Sequence, residues 1–225
     1  MTLGLADTRI ASPTLVPELE LHLLPPDSPH WHAADPDALG WPYWAVAWPG
    51  GQALARFVVD RPEWVRGRRV LDFGAGGAVA GVAAARAGAA SVLCADVDPR
   101  AAEAAHANAR LNGVSVLTTT EDLVGAPRGP WDVVLAGDVC FEPAFAARVI
   151  AWLRALAADG CAVLLGDPSR VALPADALED LAAYEAPHDG DLRALTRWTT
   201  RVARVLPKPP RGLRAAAGPD KRAPA

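Results

Sequence analysis

Cysteine is scarce: Cys94, Cys140 and Cys161 are the only three in 225 residues, each in or beside an apolar run, with no pairing or metal-ligand spacing. That excludes a disulfide-stapled scaffold and predicts buried thiols in a reducing compartment. Long apolar runs are missing too. No segment reaches the roughly 18 continuous apolar residues of a membrane span, and the chain does not start with a basic stretch followed by an apolar core. A soluble, cytoplasmic monomer with no membrane partner is the expectation. Net positive charge is also absent. The total is −4, and five cations against Asp220 put +4 on the last eighteen residues and leave −8 on the rest. An acidic body argues against a nucleic-acid partner. His30-Trp31-His32 resembles a metal fragment only superficially, so no metal is expected; His22, His106 and His188 read as surface residues. No internal repeat is evident.

What is present suits one packed domain. Half of the residues (51%) are hydrophobic and 21% are charged, enough for one sizeable core. Residues 1–48 read as an N-terminal arm and aromatic-rich segment packing on the core, 49–206 as the main domain and 207–225 as a disordered basic tail. Thr14 to Leu24 alternates loosely and fits one short strand or extended arm. Pro49 to Asp60, with Leu54, Phe57 and Val58 at helical spacing, predicts a helix that ends before Pro62.

From Arg68 onward, short apolar or β-branched runs alternate with Ala-rich helical segments. This is the pattern of a parallel sheet with helices on both faces. The predicted strands are 69–73, 91–96, 114–118, 131–137 and 161–166. The predicted helices are 79–87, 99–111 and 144–158, the second capped by Asp98 and followed by Gly113. A further helix is predicted from Pro174 to about Leu181, then strands near 182–187 and 195–206. His188-Asp189-Gly190 would join these two strands as an antiparallel hairpin at the sheet edge.

Three constellations carry chemistry. Val70-Leu71-Asp72-Phe73-Gly74-Ala75-Gly76-Gly77 runs a strand into a glycine-rich turn ahead of a helix, where backbone can approach a ligand closely. Asp72 beside the glycines suits a cationic amino-acid ligand better than a pyrophosphate, because phosphate sites avoid fixed negative charge. Asp96, ending the next strand, can accept both hydroxyls of a ribose; Asp98 reads as the cap of the following helix. After the third strand, Glu121-Asp122 offers a carboxylate either to an adenine amine or only to solvent. Asp138, with Phe141 three residues on, leaves the same sheet edge after the fourth strand. It can hold and orient an amine, or cap a turn before Glu142-Pro143. Upstream, Trp48 is the aromatic best placed to lie against a cationic ligand. A nicotinamide oxidoreductase would share the glycine turn and the strand-two acid, but it should show G-x-G-x-x-G, and Val79 holds the sixth position. A binding module without catalysis would need none of Asp72, Asp96 and Asp138.

Asp72 with Gly74 and Gly76, then Asp96, then Asp138 with Phe141, resembles the class I methyltransferases, specifically the lysine-methylating group with an acid-x-x-aromatic motif. Pro42-Tyr43-Trp44-Ala45 followed by Trp48-Pro49-Gly50-Gly51-Gln52-Ala53-Leu54 resembles the electron transfer flavoprotein beta-subunit lysine methyltransferases, from about Leu15 to Leu206. The resemblance implies a seven-strand Rossmann-like methyltransferase sheet, mostly parallel, with an antiparallel C-terminal hairpin. It also implies S-adenosyl-L-methionine as cofactor and a lysine of the flavoprotein's beta subunit as acceptor. It implies that Gly74 and Gly76 flank the methionine part of the cofactor, Asp96 its ribose, and Asp138 with Phe141 the lysine channel as the catalytic set; with the readings above, the expected cofactor set is Trp48, Asp72, Gly74, Ala75, Gly76, Asp96, Val97 and Asp122. Keeping lysine neutral at pH 7 costs about 4.6 kcal/mol against its pKa of about 10.4, so the site must lower that cost. One departure stands out: Ala78 occupies the position where the family's third glycine usually falls.

Overall fold

The computed structural model describes residues 3–32, 41–187 and 197–208. β1 (Arg9–Ala11) precedes the strand or arm expected at 14–24 and pairs antiparallel, as a separate sheet, with β2 (Leu21–Leu23) at that segment's end. The chain between them turns at Pro13 and Val16, whose carbonyls accept from Val16 N and Leu19 N. The turn inserts Val16 and Leu19, both fully buried, into the core. Burying these two apolar side chains is worth more than continuing one exposed strand.

Helix α1 (Pro49–Asp60) begins on a proline, whose missing N–H is tolerated in a first turn. Strands and helices then alternate: β3 (Arg69–Phe73), α2 (Val79–Arg86), β4 (Ser91–Ala95), α3 (Pro99–Leu111), β5 (Leu117–Thr119), β6 (Val133–Gly137), α4 (Pro143–Ala158) and β7 (Ala162–Asp167). Asp98 caps α3 by accepting from Arg100 N, and Glu142 caps α4 by accepting from Ala144 N and Phe145 N.

The end of the chain departs from expectation. In place of a helix to Leu181 there is one 3-10 turn, Ala175–Ala177, and then β8 (Leu178–Pro187) pairs antiparallel with β9 (Arg197–Val205). Local composition favours a helix there, but a long pairing with β9 wins. It adds cross-strand ion pairs from Arg204 to Glu179 at 3.3 Å and from Arg201 to Asp180 at 3.4 Å. The predicted linker His188-Asp189-Gly190 lies outside the described residues, as does the tail from 209 onward. Strand β5 is also shorter than expected, because only Leu117, Thr118 and Thr119 pair with β4.

The seven-strand order is β5-β4-β3-β6-β7-β9-β8, with β9 antiparallel to both neighbours and the first five strands parallel. Central strands send alternate side chains to two cores, as a sheet covered on both faces requires. Val70, Leu135 and Leu164 pack against α1 and α2, whereas Leu71, Val134 and Leu165 pack against α4. Each fully buried leucine contributes about 1.5–3 kcal/mol. Chain order reverses between β3 and β6, so their carboxyl ends open a crevice at the switch point, where α/β sheets bind ligands. No helix among the described residues is long and apolar enough to cross a membrane.

Candidate active site

The crevice is a cleft open to solvent. It is lined by Leu21 and Leu23 of the arm, Trp44 and Trp48, Asp72, the turn Gly74 to Gly77, and Gly137 with Asp138. The structure thus brings Trp48, Asp72, Gly74, Ala75, Gly76 and Asp138 of the predicted set to one place.

The glycine turn is held by its own neighbourhood. Gly74 N and Ala75 N both donate to Ala95 O at 2.9 and 3.1 Å, while Asp96 Oδ2 accepts from Gly76 N at 2.8 Å and Oδ1 from Asp98 N at 3.0 Å. Gly74 and Gly76 have φ of +66° and +49°, and a Cβ on Gly77 would meet Trp44 O at 2.6 Å. A side chain would fill this cradle. Ala78 closes the turn at φ +61°, a conformation that glycine adopts freely and alanine does not.

Asp72 is buried and accepts from Gly81 N, inside α2, at 2.8 Å. Burial pushes its carboxyl up to about 7; Gly81 opposes that shift and Asp96 adds to it. A cation entering the cleft would reverse the shift. Trp44, also buried, leaves its indole N–H without a partner among the described residues, a donor a ligand could satisfy. A close-approach glycine turn, an orphan donor, a buried acid and a strand-end acid together fit a ligand with an amino-acid end and a ribose.

Asp96 does not line the cleft wall but grips the turn that does. Val97, next in the chain, is 67% exposed and is not among the lining residues. Asp122 is not brought in: it is exposed, and its Oδ1 accepts from Val124 N at 3.0 Å, closing its own loop.

Asp138 is the long-range feature. Its φ of +57° departs from the strand alternation and turns the carboxylate toward the start of α1. There Oδ2 accepts from Gly51 N at 2.9 Å, with Gly50 N also donating to the carboxylate. An acid at a helix N-terminus is favourable. Asp138 does act as a cap, but of α1 rather than of the turn before Glu142. Gly137 permits the approach, since a Cβ there would stand 2.8 Å from Gly51 N. Burial raises the Asp138 carboxyl, and Arg170 opposes the rise by donating to Oδ1 at 2.7 Å. Trp48 donates its indole N–H to Tyr43 O at 2.9 Å and lies 5.7 Å beneath the Arg170 guanidinium. Phe141 is not among the residues that line the cleft: it is 63% exposed, its ring 5.7 Å from that of Phe145.

Sequence reading missed Arg170, Asn108 and Gln52. Asn108, fully buried, donates to Gly77 O at 2.8 Å and accepts from His22 N at 2.7 Å, tying the arm to the glycine turn. Gln52, equally buried, accepts from Leu15 N and donates to Ala47 O. Each is a polar residue on an otherwise apolar helical face, a signal present in the sequence. Arg170 follows β7 at the ligand-bearing sheet edge, and its position was its one clue.

Comparison with known proteins matches residues 58–139 to the family model described as Ribosomal protein L11 methyltransferase (PrmA). A solved 16S rRNA N2 G1207 methyltransferase from T. thermophilus shares the fold, with a TM-score of 0.58 and 17% identity over 89% of this chain and 50% of that one. The electron transfer flavoprotein beta subunit lysine methyltransferase of Xenopus laevis is 43% identical over 170 residues, 74% of this chain and 69% of that one. Its Rattus norvegicus counterpart is 37% identical over 184 residues, 79% of this chain and 72% of that one. With glycine turn, strand-end acids and aromatic approach on one sheet edge, and identity at that level over most of both chains, the protein belongs to the electron transfer flavoprotein beta subunit lysine methyltransferase family.

Proposed function

We propose that this protein is an S-adenosylmethionine-dependent protein-lysine N-methyltransferase whose substrate is the beta subunit of electron transfer flavoprotein. The observation that carries the substrate is the reach of the similarity. The match to the ribosomal-protein methyltransferase model stops at residue 139, beside the cofactor cleft, whereas the match to the flavoprotein methyltransferase of Xenopus laevis runs over 170 residues.

S-adenosylmethionine, when bound, supplies a methyl group activated by a sulfonium. The chain's own residues hold and orient. Gly74, Ala75 and Gly76 offer backbone to the amino-acid end, beside Asp72 and the free indole N–H of Trp44. Asp96 meets the ribose, Val97 covers the base, and Asp122 is a second candidate for the base edge. Asp138 and Phe141 flank the acceptor lysine, with Trp48 as the wall between cofactor and acceptor. In-line methyl transfer needs mainly proximity, alignment and a desolvated nucleophile, so no metal or nucleophilic side chain is required of the protein. The three buried, unpaired cysteines suit a reducing compartment, and we place the protein in the cytoplasm.

The test incubates the protein with radiolabelled S-adenosylmethionine and its host's cell extract, with and without recombinant electron transfer flavoprotein. One labelled band at the beta subunit, lost with Asp138→Ala, is expected. Labelling confined to other proteins overturns the substrate, and no labelling with no calorimetric cofactor binding overturns the reaction.

A further inference from the structure

Arg170 closes over Asp138 from the solvent side. Its Nη1 donates to Asp138 Oδ1 at 2.7 Å, and the two side chains are 20% and 9% exposed. The guanidinium carbon stands 5.7 Å from the ring centre of Trp48, which lines the cleft. Anything that approaches the outer oxygen of Asp138 from the cleft mouth therefore meets a cation first.

Among the described residues, other groups face this pair from several elements. From α1 come the backbone amides of Gly50 and Gly51. From the end of β7 comes Asp167, buried, with Oδ2 accepting from Ser169 N at 2.6 Å and Oδ1 without a partner. From β9 comes Arg201, which donates to Ser169 Oγ at 3.0 Å and adds its charge near Asp167. On the Asp138 loop itself, Cys140 is a neutral thiol, pushed up to about 12 by burial, then by Asp167 and Asp138.

A carboxylate offers about four acceptor positions. Gly51 and Arg170 use two of them, with the Gly50 amide close by, so room for an acceptor amine remains. An acceptor amine can use that room by donating one N–H, keeping its lone pair for transfer. Lysine, with a pKa of about 10.4, is free base in only about one molecule in 2,500 at pH 7. An unopposed carboxylate would hold the ammonium form and raise that pKa by a further 1–3 units or so. A guanidinium beside the amine acts in the opposite sense.

We propose that Arg170 is a positioning residue which, by occupying the outer oxygen of Asp138, makes the site admit the acceptor lysine as free base instead of as ammonium. This rests on the lysine-methyltransferase reading above. The ammonium proton goes to solvent on entry. The amine nitrogen then bonds to the methyl carbon with its lone pair as the carbon–sulfur bond breaks toward sulfur, and the product ammonium loses a proton after release.

The experiment follows methylation of recombinant electron transfer flavoprotein beta subunit from pH 6.5 to 10 at saturating S-adenosylmethionine, for the wild type, Arg170→Gln and Arg170→Lys. Arg170→Gln should move the ascending limb of kcat up by a unit or more, so that turnover falls about tenfold at pH 7 and approaches wild type near pH 10. Its KM for the protein should hold or fall. Arg170→Lys, which keeps the charge, should track the wild-type limb. A uniform fall in kcat with an unshifted limb overturns the proposal while the function stands. If Arg170→Gln does not fold, Arg170→Lys decides, and a limb displaced from wild type overturns the proposal. A wild type that methylates no protein lysine overturns both readings together.

Discussion

The two halves of the cleft are held together in different ways. On the β3 and β4 side every acid is bound by backbone close in sequence: Asp98 N lies two residues from Asp96, Gly81 N nine from Asp72, and Gly76 N twenty from Asp96. On the β6 and β7 side Asp138 is bound by Gly51, 87 residues away, and by Arg170, 32 away. The first half can form as soon as a strand, a turn and a helix do. The second exists only once α1 and the turn after β7 have docked on the finished sheet. Cofactor binding should therefore survive damage to the acceptor half, and turnover at saturating cofactor should survive damage to the cofactor half.

Asp138→Ala is the strongest way to break that division. On the proposed function it should abolish methyl transfer, by about a thousandfold or more, since it removes the acid assigned there to orient the acceptor. It should leave the calorimetric Kd for S-adenosylmethionine within about threefold, and cost about 1–2 kcal/mol of stability through the lost α1 cap. Equal loss of binding and turnover would join the two halves into one site. Asp96→Ala is the mirror experiment. Losing two charge-assisted hydrogen bonds to a ribose, worth about 1.5 kcal/mol each at the low end, should weaken cofactor binding about a hundredfold. Its kcat at saturating cofactor should stay within a few-fold of wild type.

The same difference decides what could be read from the chain. The glycine turn, Asp72, Asp96 and the Asp98 cap announce themselves in consecutive residues, because their partners are their neighbours. Asp138 was legible as an acid at the right sheet edge, but its carboxylate direction was not. That direction depends on a positive φ and on glycines at 50, 51 and 137 that let a distant helix approach. The second half of β8 and its hairpin with β9 were legible, but its start was hidden for a related reason: Leu178 to Leu181 has helical composition, and only pairing with β9 makes it extended. Asp122 was legible as a loop carboxylate beside a strand end, but the turn that its Oδ1 closes by accepting from Val124 N was not.

Asp72 sharpens the comparison through pH. Its carboxyl, raised to about 7 by burial, is largely protonated in the folded protein at pH 6 and ionised at pH 8. The folded pKa lies above the unfolded value, so this group's contribution to stability is greatest at low pH and declines as pH rises from about 4 through 7. Cofactor binding has the opposite slope, because a cationic amino-acid end favours the ionised acid. Affinity should rise by up to about tenfold between pH 6 and 8, and Asp72→Asn should flatten both trends in calorimetry and thermal melts. An unchanged slope in Asp72→Asn would move the titrating group elsewhere in the cleft.

Ala78 gives the smallest effect and tests whether the cofactor half is as self-contained as it looks. An L-residue in the left-handed region costs about 1–2 kcal/mol. Its methyl is fully buried in the core, worth about 0.8 kcal/mol, and glycine adds unfolded-state entropy of about 0.5–1 kcal/mol. Ala78→Gly should therefore shift stability by less than about 1 kcal/mol in a denaturant melt. The side chain is not on the cleft wall, and Ala78 N donates to Ala75 O at 2.7 Å, so the turn is already closed with alanine in place. Cofactor Kd should then change by no more than about twofold. A tenfold tightening would mean that the alanine holds the glycine turn away from its binding shape, and that the half of the cleft built from local contacts carries the larger share of the strain.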